Sequence, residues 1–292
     1  MCAVCPSKVA AHWLVGLAIG VVSSTVTAQE PVRLYAAGSL RSVMLELGAA
    51  FETTEGIKLA PVFGASGLLR ERIERGEPAD VFASADMSHP QRLAAAGRSY
   101  KAVPFAYNRL CALVSPRIEV TSATLLDRIL DPAVKLGMST PVADPSGDYA
   151  VQLFEKAEQV RAGAHATLMQ KGRRLTGGPD SPPPPKDRSV YASLMSSGEA
   201  DVFLTYCTNA LQAQQEIPGL RVVQFPEGLA VNATYGLTVM KDARLHAAQF
   251  AEFVLSRRGQ DILSRHGFTP VSKSRDKLAS LLLRYIRAGT TP

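Results

Sequence analysis

The sequence has few of the residue patterns that usually mark an enzyme. Its five histidines, His12, His89, His165, His246 and His266, are scattered, and none sits in a context that marks it as a catalytic base. There is no paired-histidine zinc motif, no phosphate-cradling lysine loop and no dinucleotide-binding glycine fingerprint. Cysteine is scarce, with four in 292 residues. Cys2 and Cys5 lie at the extreme N-terminus, and Cys111 and Cys207 are too far apart in sequence to read as a metal-ligand pair. Lysine and arginine never form a run of five, so the formal net charge of +6 is mixed along the chain and nucleic acid is a poor partner. A mildly positive balance helps attract a small anion without identifying one.

One apolar run does stand out, Trp13 to Val22, preceded by Lys8. It is about ten residues long, half of the roughly 20 that a bilayer span needs. Small residues at Val26-Thr27-Ala28 complete the pattern of a secretory signal, with cleavage expected after Ala28. Residues 1–28 are therefore expected to be removed, taking Cys2, Cys5 and Lys8 with them and placing the mature chain in the periplasm. Two cysteines then remain in an oxidising compartment, where a Cys111–Cys207 disulfide and two buried thiols both fit.

From residue 29 onward, strands and helices alternate. Val32–Ala37 reads as a strand, broken by Gly38-Ser39, and a helix-spaced apolar pattern runs from Val43 to Phe51 and stops at Gly56. Ile57–Phe63 alternates as a second strand, with Pro61 arguing for a sheet edge or an irregularity. A short helix over Leu68–Ile73 and a strand over Asp80–Ala85 follow. This order predicts parallel pairing and an α/β class. A second unit begins near Asn108, with strands at Arg109–Val114, Val134–Met138 and Asp201–Tyr206, and a helix over Tyr149–Val160. Leu175–Asp187 is expected to be a loop stiffened by Pro182–Pro185, with a helix from about Val190. The chain returns through Tyr235–Met240 to helices near His246–Leu255 and Gly259–His266.

One arrangement recurs. A strand ends, a small turn carries a hydroxyl, and a helix starts: Gly38-Ser39-Leu40, Ala65-Ser66-Gly67, Pro145-Ser146-Gly147, and a fourth at Asp187-Arg188-Ser189-Val190. Each start leaves backbone N–H groups unpaired at the positive end of a helix dipole. A serine alone at such a start is ordinarily an N-cap. Repetition with glycine beside the hydroxyl, beyond the carboxyl ends of α/β strands, points to an anion site without buried lysine or arginine. Gly64–Leu68 also resembles a nucleophile elbow, except that Leu68 stands where a glycine is required, so a serine hydrolase is the weaker alternative.

Longer stretches carry a family resemblance. Ala36–Leu40, Phe63–Leu69, Gly76–Ala85, Asn108–Leu110, Ala200–Tyr206 and Gly259–Phe268 resemble the periplasmic molybdate-binding proteins of ABC importers, over essentially the whole mature chain. The resemblance implies a two-lobed periplasmic-binding-protein fold, each lobe a mostly parallel sheet flanked by helices. One lobe would hold residues 29–107 and 237–292 and the other 108–236, with hinge crossings near Tyr107-Asn108 and Tyr235-Gly236. It implies a monomeric receptor without cofactor or direct metal ligands. A tetrahedral oxyanion, molybdate or the nearly identical tungstate, would be passed to an inner-membrane permease and its ATPase, with sulfate and phosphate as alternatives. Carried over by position, Ser39 and Ser66 give hydroxyl and amide donors, Ser146 and Val190 give amides, and Tyr206 gives its phenol. Two features depart from the family pattern. The proline-rich loop is long, and Asp148 lies beside Ser146-Gly147, where an acid facing the ligand would favour phosphate-like anions that bring a proton.

Overall fold

The computed structural model describes residues 1–3, 30–185 and 187–271. The expected signal segment and the end of the C-terminal lobe assignment, residues 272–292, lie outside the described residues, apart from residues 1–3. The first part runs β1 (Val32–Ala37), α1 (Arg41–Glu55), β2 (Leu59–Gly64), α2 (Ser66–Glu74), β3 (Val81–Ser84) and α3 (Ser88–Ala95). The middle runs β4 (Val103–Val114), α4 (Leu125–Leu130), β5 (Leu136–Ser139), α5 (Pro145–Val160), α6 (Ala164–Lys171), β6 (Arg173–Thr176), α7 (Val190–Ser196), β7 (Val202–Tyr206), α8 (Cys207–Glu216) and β8 (Arg221–Gln224). The chain closes with β9 (Asn232–Val239), α9 (Ala247–Leu255), α10 (Arg257–Arg265) and β10 (Thr269–Pro270).

The strands follow the order β2-β1-β3-β9-β4-β7-β5-β6, with β8 and β10 also paired to β4. Pairing is parallel at both ends of this path, β1 with β2 and β3, and β5 with β6 and β7. It is antiparallel through the long strands β4 and β9 in the middle. Pro61 lies in β2, at the edge, where a missing N–H breaks no ladder.

Strand β4 divides the molecule. Val103 to Arg109 pair with β9, and Leu110 to Val114 pair with β7. Side chains on either side of that change enter different cores. Phe105 and Ala106 pack with Val32, Leu34, Leu40, Leu47, Phe51 and Phe250 in one cluster. Beyond the change the period of two separates the faces: Leu110, Ala112 and Val114 join Leu136, Leu153 and Phe154, while Cys111 and Leu113 join Ala192, Phe203 and Ala213. On the return path Val231 belongs to the second core and Ala233 to the first. Two separately packed α/β halves thus share β4 and the segment before β9.

Cys111 and Cys207 form a disulfide, with Cα atoms 4.9 Å apart. Cys111 is on β4 as its apolar run implies, but Cys207 is the first residue of α8 and not part of the preceding strand. The strand pattern of Val202–Tyr206 stops one residue before it. The proline-rich segment also differs at its start, because residues 173–176 form β6 beside β5.

The two halves touch. The Gly67 N–H of α2 donates to the Ala143 carbonyl at 2.9 Å. A Cβ at residue 67 would lie 2.5 Å from the Val142 oxygen and 2.7 Å from that of Ala143, so only glycine permits this approach. Val142 itself is held at φ 71°, a strained setting for a β-branched residue. The Asp148 carboxylate secures it by accepting the Val142 N–H at 2.8 Å.

Candidate functional site

The ends of β1, β2 and β7 and the start of α7 open on one cleft of about 470 Å³ between the halves. Gly38, Ser39 and Leu40 form a single 3₁₀ turn between β1 and α1, which presents Ser39 to the cleft. The Ser39 hydroxyl lies 3.1 Å from the Tyr235 hydroxyl, which also receives the Asn108 amide at 3.4 Å. Ser66 is the first residue of α2 and is fully buried. Its oxygen accepts the Ala85 N–H at 3.1 Å, which leaves its own hydrogen to donate.

Tyr206 ends β7 and reaches the cleft from the other half. Its ring packs against Tyr235 at 5.3 Å and Tyr149 at 6.0 Å between centroids, so the residue is both a core aromatic and a cleft wall. Its hydroxyl meets only the Ala85 carbonyl, at 3.5 Å, the outer limit of a hydrogen bond. Burial pushes this phenol well above its ordinary pKa, so it stays a neutral donor. Val190 opens α7 behind Ser189, whose hydroxyl accepts the Ala192 N–H at 3.4 Å. Ser39, Ser66, Val190 and Tyr206 therefore line one cleft, two from each half.

Ser146 is placed differently from its expected role. It does not line the cleft, and its N–H is already taken by the Asp144 carboxylate at 3.0 Å. Its hydroxyl is buried without a partner. The residue that reaches the cleft there is Asp144, the N-cap of α5, with Pro145 in the first helical turn. The acid beside the ligand space is thus Asp144 and not Asp148, which faces the Val142 turn. Burial raises the Asp144 carboxyl to about 6, and Asp148 nearby adds to the rise against the lowering effect of the Ser146 N–H.

Two further walls went unread in the sequence. Arg41, in the first turn of α1, stacks its guanidinium on Phe63 at 4.6 Å from the ring centroid, and both line the cleft. Pro182–Pro185 close another side, followed by Arg188, which pairs with Glu216 at 4.0 Å. Deeper, Asn209 donates to the Tyr191 hydroxyl and to Thr205, both at 3.1 Å, fixing a polar floor. Among the described residues no histidine lines this cleft, and no group of three or more His, Cys, Asp or Glu side chains forms a metal site. No helix among them is long and apolar enough to cross a membrane.

With this geometry in hand, the relatives are informative. Residues 32–269 match the family described as bacterial extracellular solute-binding protein. The protein PM1146 of Pasteurella multocida is 34% identical over 243 residues, covering 82% of this chain and 99% of its own. The molybdate-binding protein ModA of Escherichia coli K12 is 25% identical over 267 residues, covering 87% and 94%. The solved structure of the Azotobacter vinelandii periplasmic molybdate-binding protein superposes with a TM-score of 0.67 at 18% identity, over 82% of this chain and all of the other.

Proposed function

Because the chain belongs to the bacterial extracellular solute-binding proteins, we propose that it is the periplasmic receptor of an ABC importer that closes on a tetrahedral oxyanion. The observation that carries this reading is the convergence of Ser39, Ser66, Val190 and Tyr206 from two separately packed halves onto one cleft. The hydroxyls and helix-start amides are neutral donors, and an oxyanion presents only acceptors to them. Each such charge-assisted hydrogen bond contributes about 1.5–3 kcal/mol.

Closure would bend the chain where β4 changes partners and where the chain returns into β9, bringing the halves together over the anion. The closed surface would then be read by an inner-membrane permease with its ATPase, the receptor acting as a monomer after removal of residues 1–28. Molybdate is the first bare anion to consider, because a relative of that binding function aligns over 94% of its length. Tungstate is its near-equal in size and charge, and sulfate and phosphate are the alternatives. A secreted serine hydrolase would need a base beside Ser66, and among the described residues no histidine lines the cleft.

Thermal melts of the mature protein against molybdate, tungstate, sulfate, phosphate and chromate test the reading. A bound anion at about 100 times its Kd adds roughly 2.7 kcal/mol to stability. Unshifted melts with every tetrahedral anion, bare or esterified, would overturn it.

A further inference from the structure

The cleft is far larger than the bare anions above. A tetrahedral oxyanion displaces on the order of two or three waters, roughly 60–90 Å³ at about 30 Å³ each. The cleft offers about 470 Å³, within the range of sites for small organic molecules. Its lining is graded. Ser66 and Tyr206 are fully buried at one end, while Arg41, Leu45 and Pro182–Pro184 are exposed at the other. A bare ion held at the buried end would leave most of the volume to water.

The chemistry of the wall also departs from a donor-only cage. One Asp144 oxygen is engaged by the Ser146 N–H. The other, Oδ2, lies beside Gly177, where an added Cβ would come within 2.5 Å, so only the lack of a side chain at 177 leaves this oxygen uncovered. Molybdate has only acceptors to set against this carboxylate, so the pair would lack a shared hydrogen. A phosphomonoester carries a proton with a pKa near 6, and its organic part can bring a hydroxyl as well. At the exposed end the Arg41 guanidinium is stacked on Phe63, where its planar fork of donors can meet a second polar group.

On the oxyanion-receptor reading, we infer that the cleft takes its oxyanion as the phosphoryl end of a small phosphomonoester. The phosphoryl group occupies the buried end among Ser39, Ser66 and Tyr206. Asp144 accepts the ligand's hydrogen, and the organic part extends toward Arg41 and the proline wall.

Calorimetry on the mature protein tests this with glycerol 3-phosphate, O-phosphoserine and phosphoglycolate against molybdate, tungstate, sulfate and inorganic phosphate. Glycerol and serine serve as unphosphorylated controls. At least one ester should bind at least tenfold tighter than every bare anion, with the controls silent. Asp144→Asn, which replaces an acceptor with an amide that can donate, should narrow the preference of ester over molybdate by at least tenfold. Tightest binding by molybdate or tungstate would overturn the inference and leave the oxyanion receptor standing. Failure of all seven anions would remove both.

Discussion

Gly67→Ala is the sharpest test of how the halves meet. The glycine sits where α2 of one half touches the loop before α5 of the other, and an added Cβ would lie 2.5 and 2.7 Å from two carbonyl oxygens. An ordinary carbon–oxygen contact is about 3.3 Å, so the surfaces must part by roughly 0.8 Å to clear the nearer oxygen. Parting them also breaks the Gly67 N–H to Ala143 bond of 2.9 Å, worth about 1 kcal/mol. Overpacking against backbone adds about 1–3 kcal/mol. If the bound state keeps this contact, these together cost it roughly 2–4 kcal/mol, which is about a 30-fold or greater loss of affinity at 1.4 kcal/mol per tenfold. On the proposed hinge motion, an unliganded fold whose halves part escapes most of that cost, because each half keeps its own core. Gly228→Ala is the control, since nothing lies within 4 Å of a Cβ there. Calorimetry with the anion that most stabilises the wild type, alongside a melt without ligand, reads both quantities. An affinity within threefold of wild type in a folded Gly67→Ala protein would show that this contact is not part of the bound state.

Other perturbations bear on the same site. Ser39→Ala removes one charge-assisted bond and should weaken the best-bound oxyanion at least tenfold by calorimetry, while loss of its Tyr235 contact moves the unliganded melt by about 1 kcal/mol. Asp144 has a folded pKa raised from the ordinary 3.8 to about 6, so the native state holds its proton more tightly than the unfolded chain does. The resulting stability is full below about pH 4 and is lost as pH rises through 6, on the order of 3 kcal/mol at about 1.4 per pH unit. Denaturant unfolding of wild type and Asp144→Asn should therefore diverge between about pH 4 and pH 6 and hold a constant gap above it, with the variant the more stable; profiles that stay parallel across pH 4 to 6 would refute this. Replacing Cys111 and Cys207 together by serine opens a link spanning 96 residues and should cost about 2–4 kcal/mol in denaturant unfolding, while unchanged stability would mean that the bond adds nothing to the fold.

Much of the frame was legible because glycine and proline punctuate it. Gly56 ends α1 in the left-handed conformation, and Pro61 correctly marks an edge strand. The first half of β4 was not read as strand, because Pro104 interrupts it, and the structure shifts register between Pro104 and Ala106. Within the cleft, the hydroxyls at 39 and 66 and the helix start at 190 follow a local strand-turn-helix pattern, whereas Tyr206 comes only from the family resemblance. The place of Ser146 was not legible, because an acid before a proline caps a helix better than the serine that follows, and Asp144 uses the serine's N–H. In the sequence, Gly67 and Gly147 beside a hydroxyl belong to the pattern that points to an anion site. Both are instead places where backbone passes close, a Cβ at 147 lying 2.7 Å from the Ser139 oxygen. Arg41 over Phe63 joins α1 to the strand that follows it, a meeting that helix periodicity does not encode.

The disulfide has a consequence for the life of the chain before it binds anything. Cys207 follows Tyr206 directly, and Cys111 follows Leu110, the strand partner of Tyr206. The bond therefore ties the cleft-lining phenol of Tyr206 to the strand that both halves share. Thiols stay reduced in the cytosol and disulfides persist outside it. A chain made on the reducing side would hold this junction by packing alone and would unfold more easily, by about 2–4 kcal/mol, than the same chain after oxidation. Passage through an export channel that requires an unfolded chain would be easiest before the bond forms, and reversal of folding hardest after it.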